Sequence, residues 1–172
     1  MKIALYLLGA LVALIALMAI IGAMLPRNHT ATRQAVFKEK PDALYAVVNN
    51  WAAEASWRTG LTAVEMLPTQ NGQVSYRETS RRGAITYVVI ENDPGKKLVT
   101  QIADTNLGFG GKWTFEFSDN PAGGNLRITE DGEVNSVFFR FFSRFFFSNT
   151  ASMESYLRDL GNKLGEKVEP QA

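Results

Sequence analysis

One apolar stripe holds a single helical phase from Ser136 to Glu166, and so long a stripe has to be buried against something. With Phe138 set at zero and about 100° per residue, Phe139, Phe141, Phe142, Phe145 and Phe146 fall on one arc and Arg140 and Arg144 opposite. The same phase brings Met153, Tyr156, Leu157, Leu160 and Leu164 onto that arc, while Glu154, Ser155, Arg158, Asp159 and Asn162 stay largely off it. The pattern predicts one helix, or two nearly collinear ones with a kink or new cap at Ser148-Asn149-Thr150.

Seven of the eleven Phe lie between Phe138 and Phe147. Aromatic stripes at helical spacing usually pack in a core, so Phe142 and Phe145, at the centre of the arc, are expected to face a sheet with Leu157 and Leu160. The sharper alternative is that this half lines a cavity or touches a membrane. Phe147 falls near the arginine face, and with Phe139 at the edge of the arc it is expected to be cheap to replace.

The chain has 172 residues, enough for one domain with a real core. It has no Cys, so it has no disulfide, thiolate metal site or Cys nucleophile. All 17 acidic residues and 17 of the 18 basic ones lie beyond residue 25, which leaves the domain neutral there and argues against a nucleic-acid partner. Ile3 to Leu25 is uncharged and as a helix would be about 34 Å long, enough to span a bilayer. A cleaved signal peptide has a shorter apolar region and a small-x-small site, and Ile21-Gly22-Ala23 is a poor one, so a retained anchor is favoured. The expected location is a bacterial cell membrane, crossed once. Counting Arg27, Arg33, Lys38 and Lys40 puts the domain in the cytoplasm, whereas the short positive amino-terminal tail puts it outside, and the side stays open. Asn28-His29-Thr30 matches the glycosylation triplet but lies almost against the membrane, and is taken as chance.

The expected divisions are residues 1–25 as anchor, 26–30 as linker, 31–168 as domain and 169–172 as tail. Ala31–Phe37 predicts a first strand. Pro41-Asp42 opens a helix, since Pro suits the first helical position and Asp42 the positive helix end. A second short helical piece runs from Trp51 to Ser56, and Trp57-Arg58-Thr59-Gly60 breaks it. Six strands follow: Leu61–Leu67, ending at Pro68; Gln73–Ser80; Ala84–Glu91; Leu98–Ala103, after the turn Asn92-Asp93-Pro94-Gly95; Lys112–Ser118; and Asn125–Val134. Such regular hairpins imply an antiparallel sheet whose apolar face needs a cover, and the phased carboxy-terminal stripe supplies it.

This order, carried by Lys40-Pro41-Asp42-Ala43-Leu44-Tyr45, Trp57-Arg58 followed by Val64-Glu65, Glu91-Asn92-Asp93-Pro94 before Leu98-Val99-Thr100, Gly111-Lys112-Trp113-Thr114 and Ile128-Thr129-Glu130, resembles the START-like superfamily. That superfamily includes the birch-pollen allergen relatives and the polyketide cyclase/aromatase-like proteins. The resemblance covers residues 31 to 167 and implies an α+β helix-grip fold: about seven curved antiparallel strands wrapped on a long final helix, with two short helices after the first strand. It also implies a deep cavity between sheet and final helix that takes a hydrophobic small molecule or lipid. The anchor lies outside the match, and fold alone does not fix function.

The inventory for chemistry is thin. His29 is the only His, read as a solvated linker residue, so no Ser-His or Cys-His pair and no His-based metal cluster can form. No catalytic residue, metal or cofactor is assigned. Among Glu78, Asp104, Glu116, Glu130 and Asp131, Glu130 alternates with Leu126 and Ile128 and is the one expected to point inward, paired with Arg127 or Arg77. Gly108-Phe109-Gly110-Gly111 precedes a strand, so it is not a phosphate loop; it reads as a flexible loop at the cavity mouth with Phe109 as a gate. Arg81-Arg82 reads as a solvated hairpin tip. The expected ligand walls are Trp57, Tyr76, Tyr87, Trp113, Phe115, Glu130, Met153, Tyr156 and Leu160. The function expected is membrane-anchored binding of a hydrophobic ligand. A cyclase or aromatase, which would need an inward polar cluster, and a membrane-associated interaction module are the alternatives.

Overall fold

A computed structural model describes residues 2–70, 72–146, 148 and 150–172. Helix α1 (Lys2–Met24) leads into strand β1 (Asn28–Phe37), helix α2 (Pro41–Val48) and a 3₁₀ segment at Trp51–Ser56. Strands β2 (Leu61–Gln70), β3 (Gln73–Ser80), β4 (Gly83–Asp93), β5 (Lys97–Ile102), β6 (Phe109–Asn120) and β7 (Gly123–Val134) follow, then helices α3 (Val137–Phe146) and α4 (Ala151–Lys163). The strands form one antiparallel sheet in the order β1-β7-β6-β5-β4-β3-β2. This is the α+β helix-grip architecture that the resemblance implies.

Local chemistry accounts for the joints. Pro41 begins α2 with Asp42 in its first turn. The β4–β5 hairpin closes through a Lys96 N–H to Asp93 O bond of 3.0 Å, with Pro94 leading and Gly95 at φ 74°, the demand of a type II turn. Several boundaries differ from expectation, and two of the differences have a plain cause. β1 begins at Asn28, inside the stretch read as linker, because His29 and Thr30 pair with Gly132 and Asp131 of β7. β2 continues through Pro68 to Gln70, which an edge strand tolerates since no neighbour needs the missing N–H.

The core lies between the sheet and helices α2 and α4. Phe37, Leu44, Val48, Leu98, Leu126, Ile128, Met153, Leu157 and Leu160 are essentially without exposure. On α4 the buried set includes Met153, Tyr156, Leu157 and Leu160, the second half of the stripe. Its first turn is tied to β1: Arg33 Nε donates to Glu154 Oε1 at 2.8 Å, and Thr150 Oγ1 donates to the same oxygen at 3.0 Å. Beyond α4, Gln171 pairs with Gln34, so the tail reaches back to β1.

The first half of the stripe behaves otherwise. No residue of α3 is buried; Phe142 is 39% exposed and Phe145 58%. The expectation that both face the sheet as core is overturned. Phase on a helical wheel fixes direction only while the helix is unbroken, and here α3 ends before α4 begins. α3 packs instead on the end of α1. Gly22 is required there: a Cβ at that position would stand 2.0 Å from the Val137 carbonyl oxygen. Arg140 Nη1 closes the contact with a 3.0 Å bond to Leu25 O. The expectation for Phe147 lies outside the described residues.

Candidate functional site

The residues expected to wall a cavity do come together, as a stack of rings between sheet and α4. Trp51 stacks on Tyr76 and Tyr76 on Tyr87, each at 5.4 Å between centroids. From α4, Tyr156 meets Trp57, Trp113 and Phe115 at 5.4, 6.0 and 5.5 Å. Tyr76, Phe115, Met153, Tyr156 and Leu160 are buried, while Trp57, Tyr87 and Trp113 are half-buried and form the outer edge of the stack. β-strand alternation places Tyr76, Tyr87, Trp113 and Phe115 on the same face, and helical spacing brings Tyr156 over them. The rings pack on one another across the space where the resemblance implies a deep cavity.

A buried ionic cluster sits among these rings. Arg58 Nη1 donates to Glu54 Oε2 at 2.7 Å and to Glu78 Oε1 at 2.5 Å. Its guanidinium carbon lies 4.9 Å from the centre of the Tyr156 ring, and Tyr156 Oη donates to Glu54 Oε1 at 3.3 Å. Burial pushes the Glu54 carboxyl up to about 7; Arg58 opposes the shift and Glu78 reinforces it. Burial also disfavours charge on Arg58, but Glu54 and Glu78 outweigh it and keep the guanidinium protonated. Burial raises the hydroxyls of Tyr76, Tyr87 and Tyr156 as well, so they remain neutral donors. The neighbouring Thr59 is fixed to α4 through its N–H and hydroxyl, both donating to Asp159 Oδ2, at 2.7 and 2.8 Å.

Of this cluster only Glu78 is among the carboxylates that the sequence singles out, and there as a solvated strand residue. Glu54 and Arg58 stand four apart in the segment read as a helical piece and its break, and that spacing is the available signal. The inward polar cluster that an enzyme would require is therefore present, on residues the pattern does not assign.

Glu130 does face inward, but with other partners than expected. Trp113 Nε1 donates to its Oε2 at 2.7 Å and His29 Nε2 lies 3.0 Å from its Oε1. Arg127 bonds Gln34 instead and Arg77 lies by Glu65. His29 is thus a half-buried strand residue, not a solvated linker one, and Gly132 makes its space: a Cβ there would stand 2.2 Å from the ring. Phe109 is also reassigned. It pairs with Val134 at the start of β6 and stacks on Phe139 of α3 at 5.8 Å, so Phe109, Gly110 and Gly111 are strand rather than a flexible loop, with Gly108 in the bend before it. Hollows lie elsewhere among the described residues. One of about 70 Å³ opens at the junction of α1, β1 and α3, and a shallow one of about 340 Å³ lies by Val74 and Ile90 on β3 and β4. Among the described residues no three His, Asp or Glu side chains gather as metal ligands.

A curved antiparallel sheet closed by a carboxy-terminal helix over an aromatic, acid-containing interior defines a START-like helix-grip protein. Residues 28–165 match the family model "Polyketide cyclase / dehydrase and lipid transport", and the chain belongs to that family. No curated protein matches the sequence at a significant level. Among solved structures, TTHA0849 from Thermus thermophilus superposes with a TM-score of 0.62 at 14% identity, over 77% of this chain and 93% of that one. A START superfamily protein from Mycobacterium smegmatis gives 0.57 at 12% identity, over 81% and 98%. The di-domain ARO/CYC StfQ from the steffimycin biosynthetic pathway gives 0.61 at 14% identity, over 82% of this chain and 53% of StfQ, so the chain spans about half of that protein. At such identities the likeness is one of fold.

The titration of Glu54 has a measurable consequence. Its folded-state value, about 7, is above the ordinary 4.5, so the folded chain holds more protons than the unfolded one between those values. Stability is then lost as pH rises through that window, with a slope of at most about 1.4 kcal/mol per pH unit from this group. Thermal melting from pH 5 to 8 should fall more steeply in the wild type than in Glu54→Gln. Equal slopes would remove Glu54 as the cause.

Proposed function

We propose that the domain binds a hydrophobic, partly polar small molecule or lipid between the sheet and α4, held near a membrane by α1. The observation that carries this is the stack itself: half-buried Trp57, Tyr87 and Trp113 close an aromatic interior around Glu54, Arg58 and Glu78. Apolar ligand surface replacing ring–ring contact contributes about 25 cal/mol per Å² before association costs. The tyrosine hydroxyls, and Glu54 when protonated, supply the few oriented polar contacts that such sites use. The family supports the same class of ligand. In the full chain held in lipid nanodiscs, a polycyclic phenol should quench tryptophan emission saturably. Trp113→Leu should weaken that binding about tenfold, equivalent to about 1.4 kcal/mol. Unsaturable quenching, identical in the variant, would mean partition into lipid alone and would remove the site.

A cyclase-type activity is the second reading, and Glu54 favours it. A carboxyl that exchanges its proton near neutral pH, beside an apolar wall, suits general acid–base work on an enolisable polyketone. Glu54 would take an α-carbon proton as that carbon bonds to a second carbonyl carbon, and return the proton to the alkoxide left when that carbonyl's π bond breaks, with tyrosine hydroxyls and Arg58 orienting the carbonyls.

A further inference from the structure

We propose that α3 is an interfacial membrane helix, its phenylalanine face seated in the headgroup–acyl boundary of the same bilayer that α1 enters. This rests on the reading of α1 as a membrane span and adds a second contact to it. α1 is long and apolar enough to cross, and every position from 2 to 17 is exposed. Exposure drops at Met18, Ala19, Ile21, Gly22 and Leu25, where α3 packs. From Met18 to Leu25 is about 10 Å along a helix axis. An interfacial amphipathic helix sits about 5–10 Å deep, so α3 lies along the part of α1 that such a depth would cover.

The exposed side chains fit that place. Phe138, Phe142, Phe145 and Phe146 are 41, 39, 58 and 69% exposed, on the helix that packs on α1, and the rings of Phe142 and Phe146 touch at 5.9 Å between centroids. Isolated exposed apolar residues need no explanation, but a contiguous patch marks an interaction surface. α3 carries no acidic residue; Arg140 and Arg144 lie on its other face, around the hollow that also holds Arg27. Arg140 spends one donor on Leu25 O, and its buried Nε has no protein partner among the described residues. Cations at that level are where snorkelling places them, among headgroup phosphates.

The chain has no Cys, so single labels report one position each. Phe145→Cys, Leu14→Cys and Arg81→Cys, each carrying an environment-sensitive fluorophore, would be reconstituted into phosphatidylcholine/phosphatidylglycerol vesicles containing lipid nitroxides at known depths. Position 145 should emit as in an apolar medium and be quenched most by a shallow nitroxide, position 14 by a deep one, and position 81 by neither. Phe146→Cys should repeat the result for 145 and guards against a local effect of one label. If 14 is quenched but 145 and 146 emit as in water, α3 is off the bilayer and the proposal falls while the span stands. Apolar emission at 145 without quenching by any lipid nitroxide would assign the face to a protein partner or a second copy, and overturns it equally. If 14 is not quenched, the span itself is wrong and the proposal falls with it.

Discussion

Replacing Arg58 with alanine should lower the unfolding free energy by about 3–5 kcal/mol, the largest loss expected of any charged residue in the chain. Arg58 is bonded to both Glu54 and Glu78, whose side chains are 4 and 11% exposed. Removing it leaves two carboxyls in a site that water barely reaches, and one or both must then take a proton or draw water in. The exposed pair of Lys97 and Glu91 has a comparable distance, 2.9 Å, yet breaking it should cost less than about 1 kcal/mol because water replaces the partner. Arg58→Lys should fall between these extremes, since an ammonium keeps the charge but loses the planar fork. Adding Glu54→Gln to Arg58→Ala should recover part of the loss. Chemical denaturation in detergent with an unchanged m-value reads all four variants. A cost below about 1 kcal/mol for Arg58→Ala would mean that the cluster is hydrated and that its role in the fold is minor.

The second large effect separates the two halves of the aromatic stripe. Leu160→Ala should cost about 2–5 kcal/mol, because the side chain is fully enclosed between α4 and the sheet and its removal leaves a void. Phe145→Ala should change stability by no more than about 0.5 kcal/mol, although phenylalanine is the larger residue, because 58% of it is already exposed. Thermal melting of the two variants in detergent decides the point. A drop of similar size in both would restore the continuous helix on the sheet that the phase alone suggests.

That contrast shows where the sequence was legible. The sheet could be read because strand alternation and turn chemistry are local: Trp113, Phe115 and Phe117 share a face, and Pro94-Gly95 makes its turn wherever it occurs. That Tyr76, Tyr87, Trp113 and Phe115 share one face follows from the same period. Ser148-Asn149-Thr150 marks a kink or new cap in the sequence, but a helical wheel records phase only and does not say that α3 packs on α1 while α4 covers the sheet. Glu54 and Arg58 were hidden for a different reason. A charged pair four residues apart near a helical end is ordinarily a solvated feature, and only the packing of β3 and α4 around it makes it interior. His29 reads as linker in the sequence because the pairing that makes it a strand residue lies 103 positions away at Gly132, and no local pattern carries that information.

Only Leu25, Pro26 and Arg27 separate α1 from β1, and they are not slack: Arg27 O accepts from Val134 N–H at 2.8 Å and Leu25 O accepts from Arg140. Three extended residues reach about 10 Å at most. With α1 in a bilayer, the domain would then stay within that reach of the lipid and lose its freedom to tumble. A ligand dissolved in the bilayer would then be held near the domain at a high effective concentration, set by its density in the leaflet rather than in bulk water. For such a ligand a weak intrinsic affinity suffices, and exchange can be fast. A lengthened joint between Leu25 and Asn28 would dilute the encounter while leaving the aromatic stack itself untouched.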